Sequence, residues 1–192
     1  MNVQTISRSH KRAPLETSLI DGISFTHGRV HEFCGAARHS FACRLAGRLT
    51  GPIIWIRPKW GGDRLAADGM AAHFNPARIV FADVRGEEDN QWCSEEALRA
   101  SSCPLIISER PEASSFTQVR RLHLAAEASQ KPALFLMLSP EEGGSQGVET
   151  RWHFAPTHQG EESRWNVTRL RARMQPVASW TVLESKAGLR AT

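Results

Sequence analysis

No apolar run in the chain approaches the ~20 residues of a membrane span, so a spanning helix is excluded. The first residues, MNVQTISRSHKRAPLE, carry charge but no apolar stretch. They do not read as a secretory signal, and the cytoplasm is the expected compartment. Cysteine is scarce: Cys34, Cys43, Cys93 and Cys103 form no C-x-x-C pair, and no histidine pair completes a zinc pattern. Buried thiols are expected, with no metal and no cofactor. Tyrosine is absent, while tryptophan occurs six times, at Trp55, Trp60, Trp92, Trp152, Trp165 and Trp180.

What is present describes an ordinary globular chain. At 192 residues it is long enough to bury a core as one domain. Residues 1–14 are polar and basic without a period and read as a mobile arm; residues 15–192 read as the domain. The net charge is +4 but unevenly placed. From residue 164 onward, Arg164, Arg169, Arg171, Arg173, Lys186 and Arg190 face Glu184 alone, a net +5. Basic ends of this kind suit an anionic partner or a solvated face.

From Gly28 the hydropathy pattern is regular. RVHEFC (29–34), PIIWI (52–56), RIVFADV (78–84), PLIIS (104–108) and ALFLML (133–138) read as strands, several of them apolar throughout as in a parallel sheet. Between them, 40–49, a short segment near 62–72, 87–102 and 114–129 read as helices; a Ser/Thr cap is available to the last. Residues 15–27 are expected to hold a short helix. Strand–helix alternation predicts an α/β fold with a mostly parallel sheet and helices on both faces. After residue 139, strands at 151–156, 164–174 and 178–185 are expected to add an antiparallel edge.

The stretch VHEFCGAARHSFACRLAG, strand, glycine, then helix, has the layout of a phosphate-binding loop. A Walker loop reads G-x-x-x-x-G-K-[ST]: the second glycine admits phosphate to the backbone, the lysine neutralises it and the hydroxyl holds magnesium. Counting from Gly35, this chain has Ser40 for the glycine, Phe41 for the lysine and Ala42 for the hydroxyl. The expectation is a retired site whose pocket Phe41 fills from inside. Arg38 and His39 stand where an anion would meet the helix N-terminus.

GRVHEFCG with its following helix is similar to the start of the RecA recombinase core. The ordered set GRVHEFCGAAR, GPIIWIRPKW, PLIISERPE, VRRLHLAAE and ETRWHFAP resembles the ImuA family, over roughly residues 15–185. That resemblance implies a RecA-like fold and a non-catalytic accessory role in a damage-induced translesion complex. Its partners would be the Y-family-polymerase-like ImuB and an error-prone C-family polymerase, with DNA as a further contact. It also implies where catalytic groups would sit. The glutamate after the second strand is replaced by Arg57, Pro58 and Lys59. The aspartate ending the PLIIS strand is replaced by Ser108, with Glu109 next and expected to point to the opposite face. With these positions lost, ATP hydrolysis is not expected, since phosphoryl transfer rests on such groups. The two DNA-loop positions, 109–115 and 139–149, are short, and the second carries Glu141, Glu142 and Glu149 without a cation. A SulA-like division inhibitor that binds the tubulin-like division protein is the alternative.

Arg164, Arg169, Arg171 and Arg173 are candidates for DNA contact, or else a solvated sheet face. Trp60, Trp165 and Trp180 are candidate partner anchors, or else packing beneath the edge strands. Trp55 is expected in the core and Trp60 at the surface. Arg120 and Arg121 form a basic pair on an exposed helix side.

Overall fold

The computed structural model describes residues 15–60, 65–100, 103–129, 133–139, 143–160, 162–185 and 188–192. The expected arm, 1–14, lies outside the described residues. The architecture is α/β, with one large mixed sheet, mostly parallel in its central part, and four α-helices among the described residues.

Residues 15–27 form a β-hairpin, not the expected helix: β1 (Glu16–Ile20) pairs antiparallel with β2 (Ile23–Thr26). The reason is local. Asp21-Gly22 is a hairpin turn signal, and Gly22 takes φ +82°. Thr17 and Leu19, then Ile23 and Phe25, are buried in alternation.

The main sheet runs β11-β10-β9-β8-β3-β7-β6-β4-β5. Its strands are β3 (Val30–Cys34), β4 (Ile53–Pro58), β5 (Ile79–Val84), β6 (Leu105–Glu109), β7 (Leu134–Leu138), β8 (Thr150–Pro156), β9 (Arg164–Ala172), β10 (Ala178–Ser185) and β11 (Gly188–Ala191). The helices are α1 (Arg38–Ala46), α2 (Ala67–Ala71), α3 (Glu87–Ala100) and α4 (Phe116–Ala128). Ser115 caps α4 in a reciprocal box with Gln118, as its sequence allows. Phe116, in the first turn of α4, is 59% exposed.

β8 departs from expectation. It pairs parallel with β3, and only β9, β10 and β11 run antiparallel. Residues 145–149 carry the chain back along β3, the Ser145 amide bonding Glu32 and the Glu149 amide the Val30 carbonyl, so β8 starts beside the start of β3 instead of returning as a hairpin. β3 thus lies between β7 and β8, wholly buried.

Two apolar clusters result. One joins Phe41 and Leu45 of α1 to Phe33, Trp55, Ile107, Leu136, Trp152 and Phe154, roofed by Leu19, Ile23 and Phe25 of the hairpin. The other joins Leu98 of α3 and Val119, Leu122 and Ala126 of α4 to Val30, Ile56, Ile106, Phe135 and Met137. Trp55 is in the core, and Cys34, Cys43 and Cys103 are buried and form no disulfide. No helix among the described residues is long and apolar enough to cross a membrane.

The hairpin is clamped to the sheet by His31. Its Nε2–H donates to the Thr26 carbonyl at 2.9 Å, which leaves Nδ1, 2.7 Å from the Thr150 hydroxyl, to accept. Burial pushes its pKa down to about 4, against a partly offsetting bond to Thr26. The unfolded chain therefore binds a proton near pH 6.5 that the folded chain refuses until about pH 4. Stability is fully present above pH 6.5 and falls as pH drops through that window, by up to about 3 kcal/mol. Urea denaturation at pH 7 and pH 4.5 checks this: His31→Gln should flatten the difference, and an unchanged slope would refute the assignment.

Candidate functional site

In an open α/β sheet, ligands sit outside the carboxyl ends of the strands, where the strand order reverses. Here the chain leaves β3 through α1 toward β4 on one side, while β7 leads to β8 on the other. A cavity of about 260 Å³ lies at that end, lined by Arg38, His39, Pro58, Glu109, Arg110, Pro111, Leu138 and Ser139. Small-molecule pockets usually span about 300–1,000 Å³.

The loop leading into α1 is built for another purpose than holding phosphate. α1 starts at Arg38, two residues before the expected start, so only Gly35, Ala36 and Ala37 separate it from β3. The four residues that would arch between the two Walker glycines have no room. The Ala37 amide donates to the Phe154 carbonyl at 3.0 Å, and the Arg38 amide to Gly35 O at 3.2 Å. Gly35, at φ +87°, is required by β8: a Cβ there would stand 2.5 Å from Phe154 O and 2.9 Å from the His153 ring. The turn is a junction between the helix entry and β8.

Phe41 does not fill the pocket. It is fully buried, stacked on Phe154 at 4.3 Å and edge-on to Trp165 at 5.6 Å. Phe41 and Leu45, four residues apart, share the sheet-facing side of α1, so the position nominally equivalent to the lysine faces the core. Ala42 is buried beside it and Ser40 is half-buried in the first turn. Arg38 and His39 do reach the cavity. The Arg38 guanidinium turns back to Gly35 O at 3.1 Å.

Glu109 also differs from expectation: it enters the cavity, while the neighbouring Ser108 is the residue that points away. Ser108 donates to Asn90 Oδ1 of α3 at 2.7 Å. Glu109, one step along the pleat, accepts from Trp55 Nε1–H at 2.6 Å and lies 3.5 Å from His39 Nε2. Burial alone would raise the Glu109 pKa. The bonds from His39 and Trp55, with the charges of His39 and Arg38, outweigh it and hold the carboxyl below its usual range. The cavity therefore presents an anion at neutral pH. Its other strong cation, Arg110, is buried and committed: it pairs with Glu87 and donates to Ser114 Oγ at 3.1 Å and Ser108 Oγ at 3.3 Å.

The two expected DNA-loop positions are pinned where described. Residues 140–142 lie outside the described residues. Ser145 bonds the Glu32 carboxylate through its amide, at 3.0 Å, and its hydroxyl, at 2.8 Å. The Ser114 amide donates to Ser145 Oγ at 2.9 Å, which ties the two loops together. Glu32, on the central strand and wholly buried, also pairs with Arg151 at 3.1 Å. Gly144 makes room for that guanidinium: a Cβ there would lie 2.1 Å from Arg151 Nη1. Sequence reasoning missed Glu32. Its signal was a carboxylate inside an apolar strand, which demands a buried partner.

The remaining candidates divide. Trp165 is 4% exposed and serves the core; Arg44 lies over its ring at 4.8 Å. Trp180 is half-buried against Trp152 at 5.5 Å. Arg169 is buried, with its guanidinium 5.2 Å from the Trp180 ring, and donates to Pro176 O. Trp165 and Arg169 of β9 are buried, whereas Trp180 of β10 keeps part of its surface exposed. The cause for Arg169 is a bulge in the β8–β9 register that sets it opposite Trp152. Arg171 and Arg173 are exposed, Arg164 half-exposed, and Trp60 is 61% exposed. Arg120 is exposed, and Arg121 pairs with the buried Glu95 at 2.9 Å. Among the described residues no cluster of His, Cys, Asp or Glu could hold a metal ion. Neither a family model nor a curated protein matches the chain.

Proposed function

We propose that this chain is a RecA-like accessory protein of the ImuA kind, without phosphoryl-transfer chemistry of its own. It would act in a damage-induced translesion complex by binding a Y-family-polymerase-like ImuB and an error-prone C-family polymerase. One observation carries the non-catalytic part: the turn at the head of the central strand has its Ala37 amide committed to Phe154 and its would-be lysine position in the core. A nucleotide phosphate would meet Glu109 there instead of a lysine. The placement of α1 in one apolar cluster and of α3 and α4 in the other supports the RecA-like layering. The partners rest on the ordered sequence segments alone. DNA contact would fall to Arg164, Arg171 and Arg173, since Arg169 is committed.

A nuclease-treated pull-down from damaged cells tests the reading. Recovery of the ImuB-like protein and the error-prone polymerase is expected. Recovery of the tubulin-like division protein alone would replace it with the SulA-like alternative. In the same preparation, Mg-ATP should give no saturable binding, and Glu109→Gln should not create it.

A further inference from the structure

We propose that two copies of this chain associate edge to edge through β5, antiparallel about a twofold axis normal to the sheet. β5 ends the main sheet and, among the described residues, has no strand on its outer side. Its register with β4 runs from Ile53 against Ile79 to Pro58 against Val84 without a bulge. Natural edge strands are usually blunted by lysine, proline, a bulge or shortness. Ile79–Val84 has none of these, and its one charge, Asp83, is paired within the subunit to Arg57; the other edge, β11, has only four residues. Two large apolar side chains stand open on β5, Val80 at 58% and Phe81 at 39% exposure.

The strand is its own complement. With Phe81 on the axis, Phe81 faces Phe81, Val80 faces Ala82, Ile79 faces Asp83 and Val84 faces Arg78. No two like charges oppose each other. On one face the existing contact of Trp55 with Phe81, at 6.4 Å, extends into a row of four rings across the axis. Arg57 caps that row, lying 4.0 Å over the Phe81 ring and paired with Asp83 at 2.7 Å. On the other face Ile54 and Val80 continue into Ala82 and Ile56 of the second copy. This palindromic pattern selects a second copy over a foreign strand, because the axis satisfies both faces at once.

Sedimentation velocity over rising concentration should show a species of twice the monomer mass. Val80→Lys, at an exposed position that leaves the fold intact, should weaken association at least about tenfold by opening the apolar rows to charge. A second variant reads the register: Phe81→Cys should give a covalent dimer with a short bis-maleimide, each thiol adding across one maleimide double bond, beyond the background of the parent, whereas Leu170→Cys, equally exposed on β9, should not. A parent that stays monomeric at every concentration, or a dimer untouched by Val80→Lys, overturns the proposal; so does capture of β5 by a foreign strand alone.

Discussion

Phe41→Lys, which restores the residue a Walker loop carries at that position, will unfold the protein and will not recruit ATP. Phe41 touches Phe154 and Trp165 with no exposed surface. Truncation to alanine removes a fully buried ring and should cost about 3–5 kcal/mol. Lysine adds the desolvation of an ammonium ion in an apolar site, which exceeds the truncation cost. For a domain of this length each kcal/mol is worth roughly 2–4 °C, so Phe41→Ala should melt about 6–20 °C lower. Thermal melts of both variants, with an Mg-ATP titration of Phe41→Lys at low temperature, decide the matter. A folded Phe41→Lys protein that binds Mg-ATP would show that the side chain can swing to the cavity, contrary to the packing described.

The second large effect is at Glu32. Its carboxylate is wholly buried and serves Ser145 and Arg151 together. Glu32→Ala removes the wholly buried carboxylate that faces the mostly buried Arg151 guanidinium, at a cost of about 3–5 kcal/mol. Arg151→Met should cost a similar amount by stranding the carboxylate. The double variant should cost less than the sum of the singles, because neither charge is then left alone. Urea midpoints of the four proteins give the coupling. Additive losses would mean that Glu32 acts through Ser145 alone. The Glu32→Ala variant should also loosen residues 143–148 first, which hydrogen exchange at Ser145 and Val148 would register.

These two residues show what a sequence can convey. The strand at 30–34, the buried character of Trp55 and the open position of Trp60 follow from hydropathy, because burial and local periodicity are the same signal read twice. Phe41 illustrates the limit. Its place in a motif was legible, but the motif does not say which side of the helix meets the sheet, and Phe41 and Leu45 take that side. Glu109 fails in the same way: a one-residue step in a strand exchanges cavity for helix face. The partners of Glu32 and Arg169 lie far along the chain or across a bulge, and no local pattern encodes such pairings. The hairpin at 16–26 is different. Its Asp21-Gly22 turn signal stands in the sequence between two short alternating runs.

The placement of β3 has a consequence for the chain as it is made. This strand is the first of the main sheet to leave the ribosome, yet its two neighbours begin at Leu134 and Thr150. Leu134 is reached only after 100 further residues of synthesis beyond Cys34, about 5–20 s at common elongation rates. During that interval Phe33 has no strand beside it and Glu32 has no counter-ion from β8. The centre of the sheet therefore closes only after β4, β5 and β6 have already been made, and a nascent chain stalled before residue 134 presents an unpaired strand to chaperones and proteases alike.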